Sequence, residues 1–547
     1  MAIAVDKVNN IYARFVWLGR DPNESTYANP MSFLDGSYAI HPPNYQYDPR
    51  FQNRRFTRYD GKVHLFKKEI GVLPLGLVQE AIELLNINGF NVKISNSISL
   101  NFLNDKYDES SIDRFIEEFT NKKFKPHYFQ IDALKAAIKH KRILFESPTG
   151  SGKSLIIYLV VRYLMWLHRN DDFRFLIMVP SITLVGQIFK DFKVDYGWDK
   201  LDDKVGIYHS DGLPDEYLRE TLTKQIMIST YQSVDKLLAK DNTFNDKFNF
   251  VLLDEAHKAK KESKVIVKLL NSCKNAEYRF GLTGTIPKND LFEKTLEGCF
   301  GKKNVLVETK ELQDNGILSK CRVVKVEIPY TVESVKFMKT TKVKYDEEVE
   351  LVRLNKSKLY SISKLIKNGK ITPTENTLIL CNGIENGELD DIVNHLKKYH
   401  PNFDVEVIHG KIKAKERDRI INSMGERQGV IIVATYSTMS TGVNIKNLHN
   451  GVLASSLQAY ETIIQTMGRL LRKHDSKELA TLYDLVDDIK VTMRTGNIWR
   501  SYVNTHWKKR EEYYIEKGFP IEYFRLEKVF DILNTISELS RSEQPNI

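Results

Sequence analysis

Two short stretches hold residue types that could do phosphoryl chemistry. "SPTGSGKS", residues 147–154, places Gly150 and Gly152 among small residues and follows them with Lys153 and Ser154. Glycines let successive backbone N–H groups curl around phosphate oxygens, and a helix that starts there aims its positive end at them. In such a loop Pro148, Thr149, Gly150, Ser151 and Gly152 cradle a nucleotide, Lys153 reaches the β/γ-phosphates and Ser154 offers its hydroxyl to Mg2+. Ser147 stands where the full pattern has glycine. "FVLLDEAHKAKK", residues 250–261, puts Asp254 and Glu255 at the end of an apolar run, where ionised groups are costly to desolvate unless a metal or an ordered water uses them. Asp254 is the expected Mg2+ partner and Glu255 the residue expected to orient an attacking water. ATP and Mg2+ are the cofactors this chemistry implies.

A phosphate loop needs a strand before it and a helix behind it, and "RILFES" and "LIIYLVVRYL" flank this one in that order. Between about 124 and 320 the runs "FRFLIMVPS", "QIMIST", "FNFVLLDEA" and "YRFGLTGT" alternate with helical patterns. Near-continuous apolar runs of this kind are central strands of a parallel sheet. The alternation restarts with "NTLILCNG", "FDVEVIHG", "GVIIVATY" and "HNGVLASS", which gives a second α/β domain over 321–495. Residues 1–100 form a smaller α+β module, with a hairpin expected at "FTRYDGKVHLF" (56–66) and a helix within "GVLPLGLVQEAIELLNINGF" (71–90). A polar, acidic linker is expected at 101–123 and a basic, aromatic, helical segment at 496–547.

Composition narrows the class. At 547 residues the chain exceeds one hydrophobic core, and 42% hydrophobic with 28% charged residues is ordinary for a globular protein. No apolar run approaches the roughly 20 residues a bilayer span needs, and the first residues lack a secretory pattern, so a cytoplasmic location without membrane contact is expected. Cys273, Cys299, Cys321 and Cys381 are widely spaced, which speaks against zinc and disulfide frameworks. A net charge of +10 permits a polyanionic partner.

Taken in order, "SPTGSGKS", "DEAH" (254–257), "LTGT" (282–285), "STG" (440–442) and "QTMGRLLR" (465–472) resemble the motif series of superfamily 2 helicases and translocases. The resemblance implies two RecA-like lobes with ATP between them. It also implies that Arg469 and Arg472, beside Gln465, reach the γ-phosphate from the second lobe, so that hydrolysis requires lobe closure. An arginine finger of this kind is worth on the order of 10³ to 10⁵ in rate. The family often has a further basic residue where Thr466 stands. By the same resemblance Gln130 reads the adenine edge, Gly442 forms a nucleotide-side turn, and Gln187, Thr230 and Thr435 hold a nucleic-acid backbone. Thr283 and Thr285, with His257, couple hydrolysis to lobe movement. His257 also reads as a packed core histidine, and Gln187 and Thr230 as parts of ordinary strand-to-helix loops.

The flanks bear on the substrate. Residues 41–70 hold seven Arg/Lys against three acidic residues, interleaved with Tyr45, Tyr47, Phe51, Phe56, Tyr59 and Phe66. Arg54, Arg55, Arg58 and Lys62 suit phosphate contacts, while the aromatics either stack on unpaired bases or fill a small core. "DPRFQNRRFTRYDGKVHLFKKEIGVLPLGL" (48–77) resembles the N-terminal DNA-binding region of phage branched-DNA helicases within superfamily 2. That resemblance implies a monomeric motor in the host cytoplasm that acts on forks and junctions in recombination, repair and replication, with RNA met in R-loops. A double-strand DNA translocase or restriction-type motor that leaves strands paired, an RNA helicase, and a non-catalytic scaffold are the competing readings.

Overall fold

A computed structural model of the chain describes residues 2–19, 29–43, 45–52, 59–98, 104–120, 124–209, 215–284, 286, 289–383, 387–425, 427–439, 445, 447–456 and 460–542. The chain divides into two compact units: residues 1–148 with 152–307, and residues 308–547 with 149–151.

The first unit begins with a four-stranded sheet. Ala2–Lys7 pairs antiparallel with Tyr12–Trp17 and parallel with Asn91–Ile94, and Val72–Pro74 closes the far edge. Burial alternates along Ala2–Lys7, so Ile3 and Val5 face inward. They meet Phe15, Leu34, Phe66, Leu73 and the inner face of the helix Val78–Ile87. Asn29 caps the helix Pro30–Ser37 by accepting from the backbone N–H groups of Met31 and Ser32. The hairpin expected at 56–66 lies partly outside the described residues, and its second strand, Val63–His64, pairs with Ala39–Ile40. A turn does form there: Asp60 accepts from the Lys62 backbone, and Gly61 takes φ +83° with a Cβ position only 2.8 Å from the Phe51 ring. The aromatics of this region divide: Phe66 is fully buried, Tyr45 packs on Phe51 and His41, and Tyr47 is exposed.

This module packs on the larger part of the same unit. Gly76 meets the end of the helix Asp290–Phe300 so closely that a Cβ would lie 2.0 Å from the Glu297 carbonyl. Lys294 pairs with Glu80 at 2.6 Å, Asn10 donates to the Lys274 carbonyl, and Arg142 donates to the Asn10 carbonyl.

The larger part is a seven-stranded parallel sheet in the order Lys303–Val305, Arg142–Glu146, Tyr278–Thr283, Phe250–Leu253, Phe175–Val179, Ile226–Thr230, Val205–Tyr208. Every residue of Phe250–Leu253, Phe175–Val179 and Ile226–Thr230 is buried, which is why these strands read as unbroken apolar runs. Each buried Ile, Leu, Val or Phe contributes about 1.5–3 kcal/mol. The acidic segment expected to be a linker is mostly the helix Glu109–Thr120, and its Ile112 and Phe115 join the core of this sheet.

The second unit is another seven-stranded parallel sheet, ordered Asp404–Ile408, Val430–Thr435, Thr377–Cys381, Asn450–Leu453, Leu479–Asp488, Lys320–Pro329, Ile521–Arg525. The C-terminal segment is helical at Tyr502–Glu516 and Ile532–Ser542, and between them it supplies the edge strand Ile521–Arg525. Among the described residues no helix is long and apolar enough to cross a membrane.

Candidate active site

Because all strands of the first sheet are parallel, the residues that follow them collect at one edge, where open α/β sheets bind ligands. Arg142–Glu146 leads into the glycine loop, its neighbour ends at Thr283, and the next strand leads into Asp254 and Glu255. Gly150 and Gly152 both adopt positive φ, +89° and +80°, and Gly152 caps the helix Lys153–Leu167. A Cβ on Gly152 would lie 2.5 Å from Gln130 Nε2, and the positive φ strains any other residue at this position. Gln130 is buried against the loop, and its Oε1 accepts from the His127 backbone at the start of the helix Tyr128–His140. Lys153 Nζ donates to the Ser147 carbonyl at 3.5 Å, and Ser147, where the pattern has glycine, is fully buried with its N–H on the Thr283 carbonyl.

The acidic pair is electrostatically strained. Burial and the charge of Glu255 push the Asp254 carboxyl up to about 6. Burial also works to raise Glu255, but Lys153 and His257 hold it well below the usual carboxylate range. Glu255 is one of four described non-glycine residues with positive φ, at +53°, a conformation that persists only where the surroundings impose it. His257 Nδ1 lies 2.9 Å from Thr283 Oγ1 and 3.1 Å from Glu255 Oε2. Among the described residues Glu255 Oε2 is buried with this His257 contact as its charged partner and no other directed hydrogen bond. Held in its charged form, Glu255 presents a fixed negative charge close to Lys153. Asp254 accepts from the Glu255 backbone N–H at 2.9 Å, and Ser154 and Asp254 are the oxygen donors at hand for a hard cation.

Ser154 has a partner that the sequence did not disclose. Its Oγ lies 2.7 Å from the Tyr196 hydroxyl, and the Asp191 carboxyl beside this pair is pushed up to about 6 by burial. Asp191 continues the buried stripe Val185, Ile188, Phe192 of the helix Ile182–Lys190 and the π-turn Asp191–Asp195 behind it. A carboxylate at helical spacing on an apolar face was the one available signal.

The residues expected to grip a nucleic-acid backbone have structural partners. Thr230 caps the helix Tyr231–Lys240: its Oγ1 accepts from the Ser233 N–H at 3.3 Å and lies 2.7 Å from the Ser233 hydroxyl. Thr435 ends its own strand in the same way, with Oγ1 2.8 Å from Thr438 Oγ1. Gln187 and Lys62 are half-buried. Arg54, Arg55, Arg58, Thr285 and Gly442 lie outside the described residues.

In the second unit Gln465 and Arg469 lie one turn apart on the helix Tyr460–Leu470, and Arg469 Nη1 donates to the Gln465 carbonyl at 3.2 Å. Both are buried. Arg472 follows the helix end, half-buried, with its backbone bridged to Leu318 and its carbonyl accepting from Ser319 Oγ.

A family profile described as the res subunit of Type III restriction enzymes matches residues 106–288, and the helicase conserved C-terminal domain matches 357–474. The ATP-dependent DNA helicase uvsW of Enterobacteria phage T4 is 28% identical over 500 residues, 89% of this chain and 92% of that one. The chain is a superfamily 2 helicase. The helicase is also 23% identical over 399 residues to the DNA 3'-5' translocase XPB2 of Sulfurisphaera tokodaii, covering 68% of this chain and 84% of that one. Among solved structures, S. cerevisiae Dbp5 bound to RNA and ADP BeF3 shares the fold, with a TM-score of 0.50 and 15% identity over 76% of the helicase and 93% of that chain. ATP use follows from the helicase assignment.

Proposed function

We propose that this helicase couples hydrolysis of Mg2+-bound ATP to movement on branched DNA, driving branch migration, fork regression and the unwinding of R-loops and D-loops in phage recombination, repair and replication. Lys153 and the loop 148–154 bind the phosphates, Ser154 and Asp254 hold the metal, and Glu255 takes the proton of the attacking water. Gln465, Arg469 and Arg472 complete the site from the second lobe when the lobes close, which ties each turnover to one clasp and release of a strand. Gln130 and Gly442 contribute on the nucleotide side, and His257, Thr283 and Thr285 pass the state of the phosphate to the lobes. Arg54, Arg55, Arg58 and Lys62 grip the junction duplex from the N-terminal module, and Gln187, Thr230 and Thr435 mark the strand path across the lobes. The motor works as a monomer in the host cytoplasm.

The observation that carries this reading is the extent of the T4 likeness, 89% of the chain, more than the two lobes at 124–495 supply. Energetics agree: branch migration exchanges one stacked pair for another, each step worth about 1.4 kcal/mol, so a junction motor needs directional grip more than force. The test is an ATPase panel over single-stranded DNA, duplex, fork, four-way junction, R-loop and RNA. Fork and junction are expected to stimulate most, and stimulation by plain duplex or RNA to the same degree would remove the branched-DNA reading while leaving the motor.

The likeness to a protein named as a DNA translocase favours one second reading, movement along duplex without separating it. Displacement of a triplex strand without displacement of a duplex strand would select it.

A further inference from the structure

We infer that the hairpin of Lys490–Thr492 and Ile498–Arg500, with the helix Val332–Thr340 beside it, is a further DNA contact of the second unit that holds an unpaired strand; the inference rests on the proposed reading of a motor on branched DNA.

The hairpin and the helix leave the sheet side by side. Pro329 and Asp488 are register partners at the ends of adjacent parallel strands. From the first the chain runs on into the helix, from the second into the hairpin, and the two pack together. Parallel strands end at one edge, so Val430–Thr435 ends at this edge as well. Thr435 lies three strands from Leu479–Asp488, about 14 Å along the sheet at the ordinary strand spacing. A strand of DNA that meets Thr435 needs only a few nucleotides to reach the hairpin.

Period-two alternation gives the hairpin two faces. Val491 and Trp499, paired across it, pack on the core of the unit and hold the ribbon in place. The other face pairs Lys490 with Arg500 and Thr492 with Ile498. Cations directly opposite one another repel. Asp488 answers Lys490 at 2.8 Å, whereas Arg500 has no ion pair among the described residues. Arg494, in the turn that Gly496 completes at φ +80°, has none either. On the helix, Lys336 and Lys339 lie one turn apart without an acidic partner among the described residues, and Glu333 is the one acidic residue there. A row of unanswered cations suits the repeating charge of a phosphate backbone.

The apolar side chains between these cations select the kind of strand. Met493 is 39% exposed and Ile498 45%. A duplex turns its phosphates outward and keeps its base faces stacked inside, while an unpaired base offers an uncovered ring for such side chains to cover.

The experiment measures binding of the full chain, without nucleotide, to a fluorescein-labelled single strand and to a duplex of the same length over a range of salt concentrations. Each phosphate contact on a single strand adds about 0.7 to the slope of log Kd against log salt. Arg494→Ala with Arg500→Ala is expected to lower the single-strand slope by about 1.4, and Arg494→Lys with Arg500→Lys, which keeps both charges, to retain it. Met493→Ser with Ile498→Ser is expected to weaken single-strand binding about 5-fold at an unchanged slope, with duplex binding altered less. ATPase in the absence of DNA is expected to keep its wild-type rate in all three variants. Losses of equal size on the duplex would overturn the inference of an unpaired strand. Unaltered affinity and slope in every variant would overturn the contact with DNA and leave the surface to an acidic protein partner. A wild-type chain that binds neither DNA would instead overturn the reading of a motor on branched DNA, and the inference with it.

Discussion

Thr283 Oγ1 lies 2.9 Å from His257 Nδ1, and the same nitrogen is 3.1 Å from the carboxylate of Glu255, so one imidazole ties the end of a central strand to the acidic residue that follows its neighbour. If the contact couples the two segments, its loss changes turnover more than binding. His257→Ala is expected to lower kcat about 10- to 100-fold with little change in KM, and to reduce the ratio of DNA-stimulated to basal ATPase. Thr283→Val keeps the shape, removes the oxygen and is expected to give a smaller loss of the same kind. Steady-state ATPase with and without DNA reads both, and an unchanged stimulation ratio in His257→Ala would remove the coupling role.

Glu255→Gln keeps the size of the side chain and discards its charge and basicity. A general base is worth roughly 10² to 10⁴ in rate, so kcat is expected to fall by that factor while ATP binding survives. Lys153→Ala is expected to do the reverse, weakening nucleotide binding itself. Equilibrium binding of a nucleotide analogue beside single-turnover hydrolysis distinguishes the two, and a Glu255→Gln enzyme that hydrolyses ATP normally would move the base elsewhere.

Arg469→Ala and Arg472→Ala test the closure of the lobes. If the arginines act on the transferring phosphoryl group, each substitution lowers kcat on the order of 10³-fold or more and leaves ADP affinity nearly intact. A loss confined to melting temperature, measured by calorimetry, would mark Arg469 as a structural residue of its helix.

His506 makes acid lability a testable property of the second unit. Its Nδ1 lies 2.8 Å from Ser456 Oγ, and burial, reinforced by Arg510 and Lys509, lowers its pKa from 6.5 to about 4. The unfolded imidazole takes a proton below its ordinary pKa of 6.5 and the folded one only near 4, so between these values the unfolded state holds more protons. Stability is therefore complete above pH 6.5 and falls as the pH drops towards 4. Melting curves across that window are expected to show a shallower acid slope in His506→Gln than in wild type, and identical slopes would exclude the group.

The helix Tyr502–Glu516 is pinned to its sheet by a buried pair: Arg510 Nε and Nη2 each lie 2.8 Å from the Asp484 carboxylate, and the Tyr514 hydroxyl donates to it at 2.9 Å. Arg510→Met removes the cation and leaves the carboxylate buried, which is expected to cost about 3–5 kcal/mol in denaturant unfolding. Arg510→Met with Asp484→Leu is expected to recover most of that loss, because no bare charge remains.

How legible all this was depended on how local each signal is. The strands ending at Glu146, Leu253, Thr283 and Thr435 are readable because a strand covered on both faces is apolar at most positions, Arg279 being a buried exception. The helix Glu109–Thr120 is hidden by its charges, since few apolar residues, Ile112, Phe115 and Ile116, show which side is inside. Val63–His64 read as half of a hairpin, but its pairing with Ala39–Ile40 is decided by a strand earlier in the chain. In the candidate site, residue types marked Lys153, Ser154, Asp254 and Glu255, because phosphate and metal chemistry restrict the choice. The capping bonds of Thr230 and Thr435 depend on the backbone turn beneath them, and Tyr196 reaches Ser154 only through a π-turn that no periodicity reveals.

The strand Ile521–Arg525 pairs with Lys320–Pro329, which on its other side pairs with Leu479–Asp488. The opening strand of this seven-stranded sheet is thus enclosed by the sheet's last two. On a ribosome that adds residues from the N-terminus, the first unit has all its strands once about residue 305 has emerged. In the second, the opening strand can pair on one side once residue 488 has emerged, but on the other only after residues beyond 520 arrive. That interval is when the nascent chain is most exposed to aggregation and most dependent on chaperones.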